Sequence, residues 1–311
     1  GPTLIESLPQ RITTAVMYNQ TLRCMASNDD TLDTAYIWKH NGIRIRDKDL
    51  LANPRWRIDG GILNLINITL SDAGDYECTI RSAVGEVSSR TTLIVEGPPG
   101  PPGGVQVINV MKTSVTLEWT DGAHNGRQIT RYNIAARTRW NSTWVNISEN
   151  VFAEGKSSYQ NRKIARLENV LNPFTTYEFA IQAANDYGFG PLSMPSPQFS
   201  TPPDKPTKAP SRVGGGGGKL GDLTITWDPL PPQDQHGRGI YYKVFWRRKA
   251  GDSEFQTRIL RDAGNVGIAV VQIDIKYYYT EYEVKVQAFN EAGEGPISEP
   301  VTIFSAEDMP Q

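Results

Sequence analysis

Three histidines, two cysteines and a run of five glycines are the residues of this 311-residue chain best suited to chemistry. Their spacing decides against most of it. His40, His124 and His236 stand far apart in segments that read as loops, which excludes a histidine-rich metal site. Cys24 and Cys78 are the only cysteines, so no further thiol is left to act as a ligand. There is no Gly-x-Ser-x-Gly elbow, no Walker loop and no His-Glu-x-x-His. Gly214 to Gly218 resemble a phosphate cradle only until Lys219, which leads into Leu220-Gly221-Asp222 rather than a Ser/Thr and a helix N-terminus. They read instead as a bulge or bend where tight or left-handed backbone is needed. Asn28-Asp29-Asp30 has no second acidic motif beside it and reads as a polar turn. The expectation is a protein without catalytic residues, metal or cofactor. One modification chemistry is favoured: four Asn-x-Ser/Thr sequons, at Asn19, Asn67, Asn141 and Asn146, mark acceptors for N-linked glycans.

The elements that carry these residues are strands. Thr91–Val95, Ser114–Trp119, Leu223–Trp227 and Tyr282–Ala288 alternate apolar and polar residues with period two, and no segment sustains a 3.6-residue apolar period. The expected fold is all-β. A net charge of −2 and a pI near 6.0 supply no global field for nucleic acid or an anionic membrane. The basic clusters Arg44/Arg46/Lys48, Arg162/Lys163/Arg166 and Arg247/Arg248/Lys249 read as solvated strand faces, with heparin-like binding as the less favoured alternative. No apolar run approaches the ~18 residues of a membrane helix, and no signal peptide opens the chain, which suggests an excised ectodomain fragment. Two proline-rich stretches divide it: Gly97-Pro-Pro-Gly-Pro-Pro-Gly-Gly104, a short stiff linker, and Thr201 to Pro210.

The first segment, 1–97, resembles an immunoglobulin domain. Cys24, Trp38 and Asp72-Ala-Gly74-Asp-Tyr76-Glu-Cys78 carry that resemblance. It implies a Cys24–Cys78 disulfide packed on Trp38, and a Tyr76 hydroxyl that ties the corner between sheets. Leu63, Leu65 and Ile68 fall where side chains should point inward. Trp56, between Arg55 and Arg57, is expected under guanidinium groups.

The segments 98–203 and 204–311 repeat each other and resemble fibronectin type III domains. Each opens with a strand ending in tryptophan, Trp119 or Trp227. Each continues through Tyr132-Asn-Ile or Tyr241-Tyr-Lys-Val. A strand from Tyr177 to Asn185, or from Tyr282 to Asn290, is followed by Gly188-Phe-Gly-Pro or Gly293-Glu-Gly-Pro. Leu171-Asn-Pro173-Phe-Thr175-Thr-Tyr177 matches the tyrosine-corner motif. The second copy has Lys276 and Tyr278 where Leu and Pro would stand, so its turn before Tyr282 should differ. Trp144 is expected to pack on its sheet.

The module order, the linker Gly97–Gly104 and the pentaglycine ahead of Leu223-Thr-Ile-Thr-Trp227 together resemble the contactin family. The matching region is the last immunoglobulin domain and the first two fibronectin domains of an invertebrate or otherwise divergent member. The resemblance implies a non-enzymatic, glycosylphosphatidylinositol-anchored adhesion protein of neural or septate junctions. It would pair with neurexin-like contactin-associated proteins and L1-type adhesion molecules, and reach the membrane only through an anchor outside these residues. The ectodomain of a receptor tyrosine phosphatase or kinase shares this module order, and a cytosolic muscle-type array uses the same modules.

Overall fold

Alternating burial turns the sequence pattern into sheets. In Val115–Thr120 the side chains of Val115, Leu117 and Trp119 are buried while their neighbours face outward, and Asp222–Asp228 buries Leu223, Ile225 and Trp227 in the same way. The computed structural model describes residues 1–27, 33–156, 161–261 and 264–307; Asn28-Asp29-Asp30 lies outside them. The fold is all-β. A six-residue helix, Asp47–Ala52, and short 3-10 turns interrupt the strands. The chain separates into two compact units, one of Gly1–Gly103, Thr120–Asn133 and Ile181–Met194, the other of Gly104–Trp119, Ile134–Ala180 and Pro195–Gln311.

In the first unit, one sheet orders Arg11–Ala15, Gly85–Glu96, Gly74–Ser82, Ala35–His40 and Ile43–Arg44; the first pair is parallel. A facing sheet orders Gln20–Arg23, Ile62–Leu65 and Trp56–Asp59. Between them lie Leu22, Trp38, Leu63, Leu65, Ile68 and Ile80 with the bonded Cys24 and Cys78. Trp38 stands directly across from Cys78 in the ladder, and its indole N–H donates to the Gly60 carbonyl at 3.0 Å. The Tyr76 hydroxyl donates to the Asp72 carbonyl at 2.5 Å.

In the second unit, Val115–Thr120 pairs antiparallel with Lys163–Leu167. The Tyr177 hydroxyl accepts from Asn172 N–H at 2.7 Å, and Tyr177, Phe179 and Phe199 stack on one another. The last sandwich sets the sheet Ser211–Gly215, Asp222–Asp228, Ile268–Gln272 against Gln256–Leu260, Tyr241–Arg248, Glu281–Asn290 and Gly293–Ile297. Trp227, Tyr242, Trp246, Val284 and Val286 fill the space between. Tyr282 is buried there too, but the turn before it is tied by Ser305, whose hydroxyl accepts from Thr280 N–H and donates to the Tyr277 carbonyl. Lys276 and Tyr278 sit in and just after a 3-10 turn, so the corner of the second repeat is built differently from that of the first.

The pentaglycine belongs to the opening strand. Gly214 and Gly215 pair with Thr226 and Ile225 after a register shift. Gly215, Gly216, Gly217 and Gly218 all take positive φ, which only glycine adopts cheaply.

Deleting the central ring of the last sandwich leaves a large void. Trp227→Ala should lower stability by about 3–5 kcal/mol, read as a shift of the urea midpoint. A loss below about 1 kcal/mol would contradict its place in the core.

Candidate functional site

The histidines do not converge. His40 ends a strand rather than lying in a loop; its ring stacks on Tyr76 at 4.5 Å and meets the edge of Trp56 at 5.2 Å. His124 accepts from Gly126 N–H in an exposed loop, and His236 is buried in another. Among the described residues, no group of three or more His, Cys, Asp or Glu is placed to hold a metal ion.

Trp56 departs from its expected guanidinium partners. Its indole N–H donates to Asp72 Oδ1 at 3.1 Å, and its ring sits by His40 and Tyr76. Arg55 turns instead to Asp72, donating to both carboxylate oxygens at 2.8 and 3.1 Å. The Thr69 N–H supplies a further donor at 2.9 Å. Burial acts to raise the Asp72 pKa, but the Arg55, Thr69 and Trp56 donors and the Arg55 charge outweigh it and hold the carboxyl below the usual range. Burial also pushes the Tyr76 phenol up.

All four sequon asparagines are exposed, on turns or strand ends. Asn19 Oδ1 accepts from Asn67 N–H at 2.9 Å, so these two acceptors are neighbours, and Asn67 has the left-handed φ of 53°. Asn141 Oδ1 accepts from Thr143 N–H at 3.0 Å within a turn. Both bonds use the amide oxygen and not the nitrogen to which a glycan attaches. Asn146 is the second residue of the strand Val145–Val151, and its Nδ2 donates to Glu149 at 3.4 Å.

Two asparagines whose role the sequence did not reveal tie the linkers down. Asn185 Nδ2 donates to the carbonyls of Gly97 and His124, each at 2.9 Å, while its Oδ1 accepts from Tyr187 N–H at 2.8 Å. Asn290 repeats the arrangement, with Nδ2 to the carbonyls of Asp204 and Gln235, each at 2.8 Å, and Oδ1 accepting from Ala292 N–H. Each amide joins an incoming linker to two loops of the sandwich it enters. The available signal was the repeat itself, which sets Asn185 and Asn290 at equivalent ends of equivalent strands. The first linker is held further by Asn125, donating to Pro98, and by Gly97 and Gly100 N–H bonds to Asn125 and Ala123. Glu96, just before it, meets both Arg127 at 3.6 Å and the Tyr187 hydroxyl at 3.2 Å. A Cβ at Gly190 would lie 1.7 Å from the Pro99 carbonyl oxygen, so the linker passes where only glycine leaves room.

One sequence-local basic cluster, Arg247/Arg248/Lys249, is neutralised throughout, and one member of another is paired. Arg247, Arg248 and Lys249 pair with Glu283, Asp252 and Glu281, and Arg162 pairs with Glu118. Trp144 packs under Arg137, whose guanidinium lies 4.5 Å from its ring, and the more exposed Trp140 lies under Arg139.

Two outcomes follow. Replacing Asn185 by Ala strands two carbonyls and should destabilise the protein by about 2–3 kcal/mol; hydrogen exchange should quicken at Gly97 and Gly100 before it does in the strands. Unchanged exchange there would contradict the hold of Asn185 on the linker. Asp72→Asn should cost about 2 kcal/mol at pH 7, less than the roughly 3–5 kcal/mol for a fully buried pair because Arg55 is partly exposed. Because the folded-state pKa of Asp72 is depressed, its stabilisation is complete above the ordinary carboxylate value of about 3.9 and fades as pH falls through the folded value. The stability gap between wild type and Asp72→Asn should therefore close in acid, and a gap constant from pH 7 to strong acid would refute the assignment.

The comparisons with known proteins agree with this geometry. A fibronectin type III domain model matches residues 100–199 and 211–304, and an immunoglobulin domain model matches residues 18–91. The chain is 52% identical over 307 residues to the contactin of Drosophila melanogaster, covering 99% of this chain and 22% of that protein. Contactin-1 of Gallus gallus is 36% identical over 312 residues, and contactin-1 of Homo sapiens 35% over 313; each match covers 99% of this chain and 30% of the relative. The crystal structure of chicken CNTN1 FN1-FN3 domains matches with 35% identity and a TM-score of 0.58 over 68% of both chains. The chain spans less than a third of the length of these curated relatives. Similarity runs through all three modules and both linkers, and the chain belongs to the contactin family.

Proposed function

We propose that this chain is part of a non-enzymatic cell-surface adhesion protein that acts through protein interfaces in neural or septate junctions. The observation that carries the reading is the 52% identity to a contactin over 99% of the chain, sustained through modules and linkers alike. The Cys24–Cys78 bond and the four exposed sequons support a secretory route. The modules divide at 1–97, 98–203 and 204–311, and they space and present binding surfaces rather than transform a substrate. Anchorage is through glycosylphosphatidylinositol. The partners are neurexin-like contactin-associated proteins and L1-type adhesion molecules.

Two measurements test this. Protein secreted from insect or mammalian cells should lose mass on glycosidase treatment, with occupancy at least at Asn19 and Asn141; no mass loss would overturn the secretory reading. The full-length protein should be released from cells by a phosphatidylinositol-specific phospholipase C. Retention, with a membrane helix and a catalytic domain in the full-length sequence, would replace it with a receptor tyrosine phosphatase or kinase.

A further inference from the structure

The outer face of the last sandwich carries cations that nothing above uses. Along Tyr241–Arg248, the residues Tyr242, Val244 and Trp246 point into the core, and Lys243, Phe245 and Arg247 point out. Lys285 stands opposite Phe245 on the neighbouring strand. The ammonium groups of Lys243 and Lys285 lie 5.1 and 5.7 Å from the Phe245 ring centroid. Lys285 and Arg247 lie 4.0 and 4.2 Å from that of Phe255. Phe245 is only 9% exposed although it lies outside the core, because these side chains cover it. Glu283 balances Arg247 at 3.3 Å. Among the described residues, neither Lys243 nor Lys285 has a carboxylate within ion-pair distance, so two ammonium groups share one ring without a counter-charge.

The first fibronectin repeat supplies a contrast. Setting Tyr132 against Tyr242 and Tyr177 against Tyr282 puts Asn133, Ala135 and Ala180 where Lys243, Phe245 and Lys285 stand. The Arg137–Glu178 pair then matches Arg247–Glu283. The arginine–glutamate pair is common to both sheets, and the uncompensated lysines belong to the second alone. They are therefore not needed to build such a sheet.

The geometry points to this face as a binding site for a sulfated glycosaminoglycan. The rings order the lysines before any ligand arrives, which lowers the entropy lost on binding. The face is an open sheet, and its two uncompensated cations stand on neighbouring strands, Lys243 beside Phe245 and Lys285 opposite it. That layout suits a chain of repeated anions laid across the face better than a single anion held by converging donors. The choice of a sulfated polysaccharide over a nucleic acid rests on the cell-surface reading, which the glycan measurement tests separately.

The test uses this whole chain on immobilised heparan sulfate, with heparin as competitor. Lys243→Gln/Lys285→Gln should weaken binding roughly ten- to thirtyfold and flatten its salt dependence. Arg44→Gln/Lys48→Gln removes the same charge from exposed positions elsewhere and should change binding by less than about twofold. Unchanged melting and near-ultraviolet circular dichroism establish that both variants are folded. The proposal is overturned if wild type does not bind, if both variants weaken alike, or if the first binds as wild type does. Equal competition by desulfated heparin, or by a DNA oligonucleotide of matched charge, overturns it as well.

Discussion

A chain passing from one sandwich to the next must satisfy backbone carbonyls where no ladder partner is available, and two asparagine amides meet that constraint here. Prolines remove donors from the first linker, so its carbonyls have to be bonded from outside. Asn185 and Asn290 each supply two N–H bonds, one to the incoming linker and one to an adjacent loop, and each takes a backbone N–H in return. A side-chain amide is suited to the task because it both donates and accepts from one short, stiff group. The linker is consequently part of the sandwich it enters. Residues that read as a spacer are built into a domain, and Gly190 is kept small to admit them.

What was legible in the sequence is what depends on fixed short spacing. The Cys24, Trp38, Tyr76 and Cys78 set announces itself because an inter-sheet bond, the ring against it and the corner hydroxyl must lie at set offsets along strands. The tyrosine corner of the first repeat follows the same logic through Asn172 and Tyr177. Trp56 is the complementary case. Its sequence neighbours Arg55 and Arg57 suggested guanidinium stacking, but the groups that reach it, Asp72, His40 and Tyr76, come from other strands and a distant turn.

Charge shows the same division more sharply. Arg247-Arg248-Lys249 is the conspicuous basic run of its domain, yet each member meets a carboxylate, two of them across the ladder from Glu283 and Glu281. Lys243 and Lys285 are inconspicuous in sequence, far apart and among apolar residues, and become neighbours only through strand pairing. Runs of like charge within a strand alternate between its faces and attract partners from adjacent strands. An uncompensated patch needs residues from several strands on one face. For a β protein, sequence-local charge is thus a poor guide to surface potential, whereas strand register is a good one.

The first linker and the glycine tract of the last sandwich answer related demands with opposite residues. Proline in the first fixes φ and withholds donors, so the surrounding loops must complete the hydrogen bonding, and the path is set by its neighbours. Glycine in the tract frees φ. Four successive positive values bend the opening strand, and a Cβ at Gly215 would meet the Thr224 carbonyl oxygen at 1.9 Å. The bend also ends the pairing of Ser211–Gly215 with its neighbour after a short, shifted ladder. Because that strand lies at the edge of its sheet, a long regular ladder there would offer unpaired donors and acceptors to other chains. The glycine tract therefore does more than admit a turn: it keeps short an edge that a repeated, outward-facing sheet would otherwise leave open.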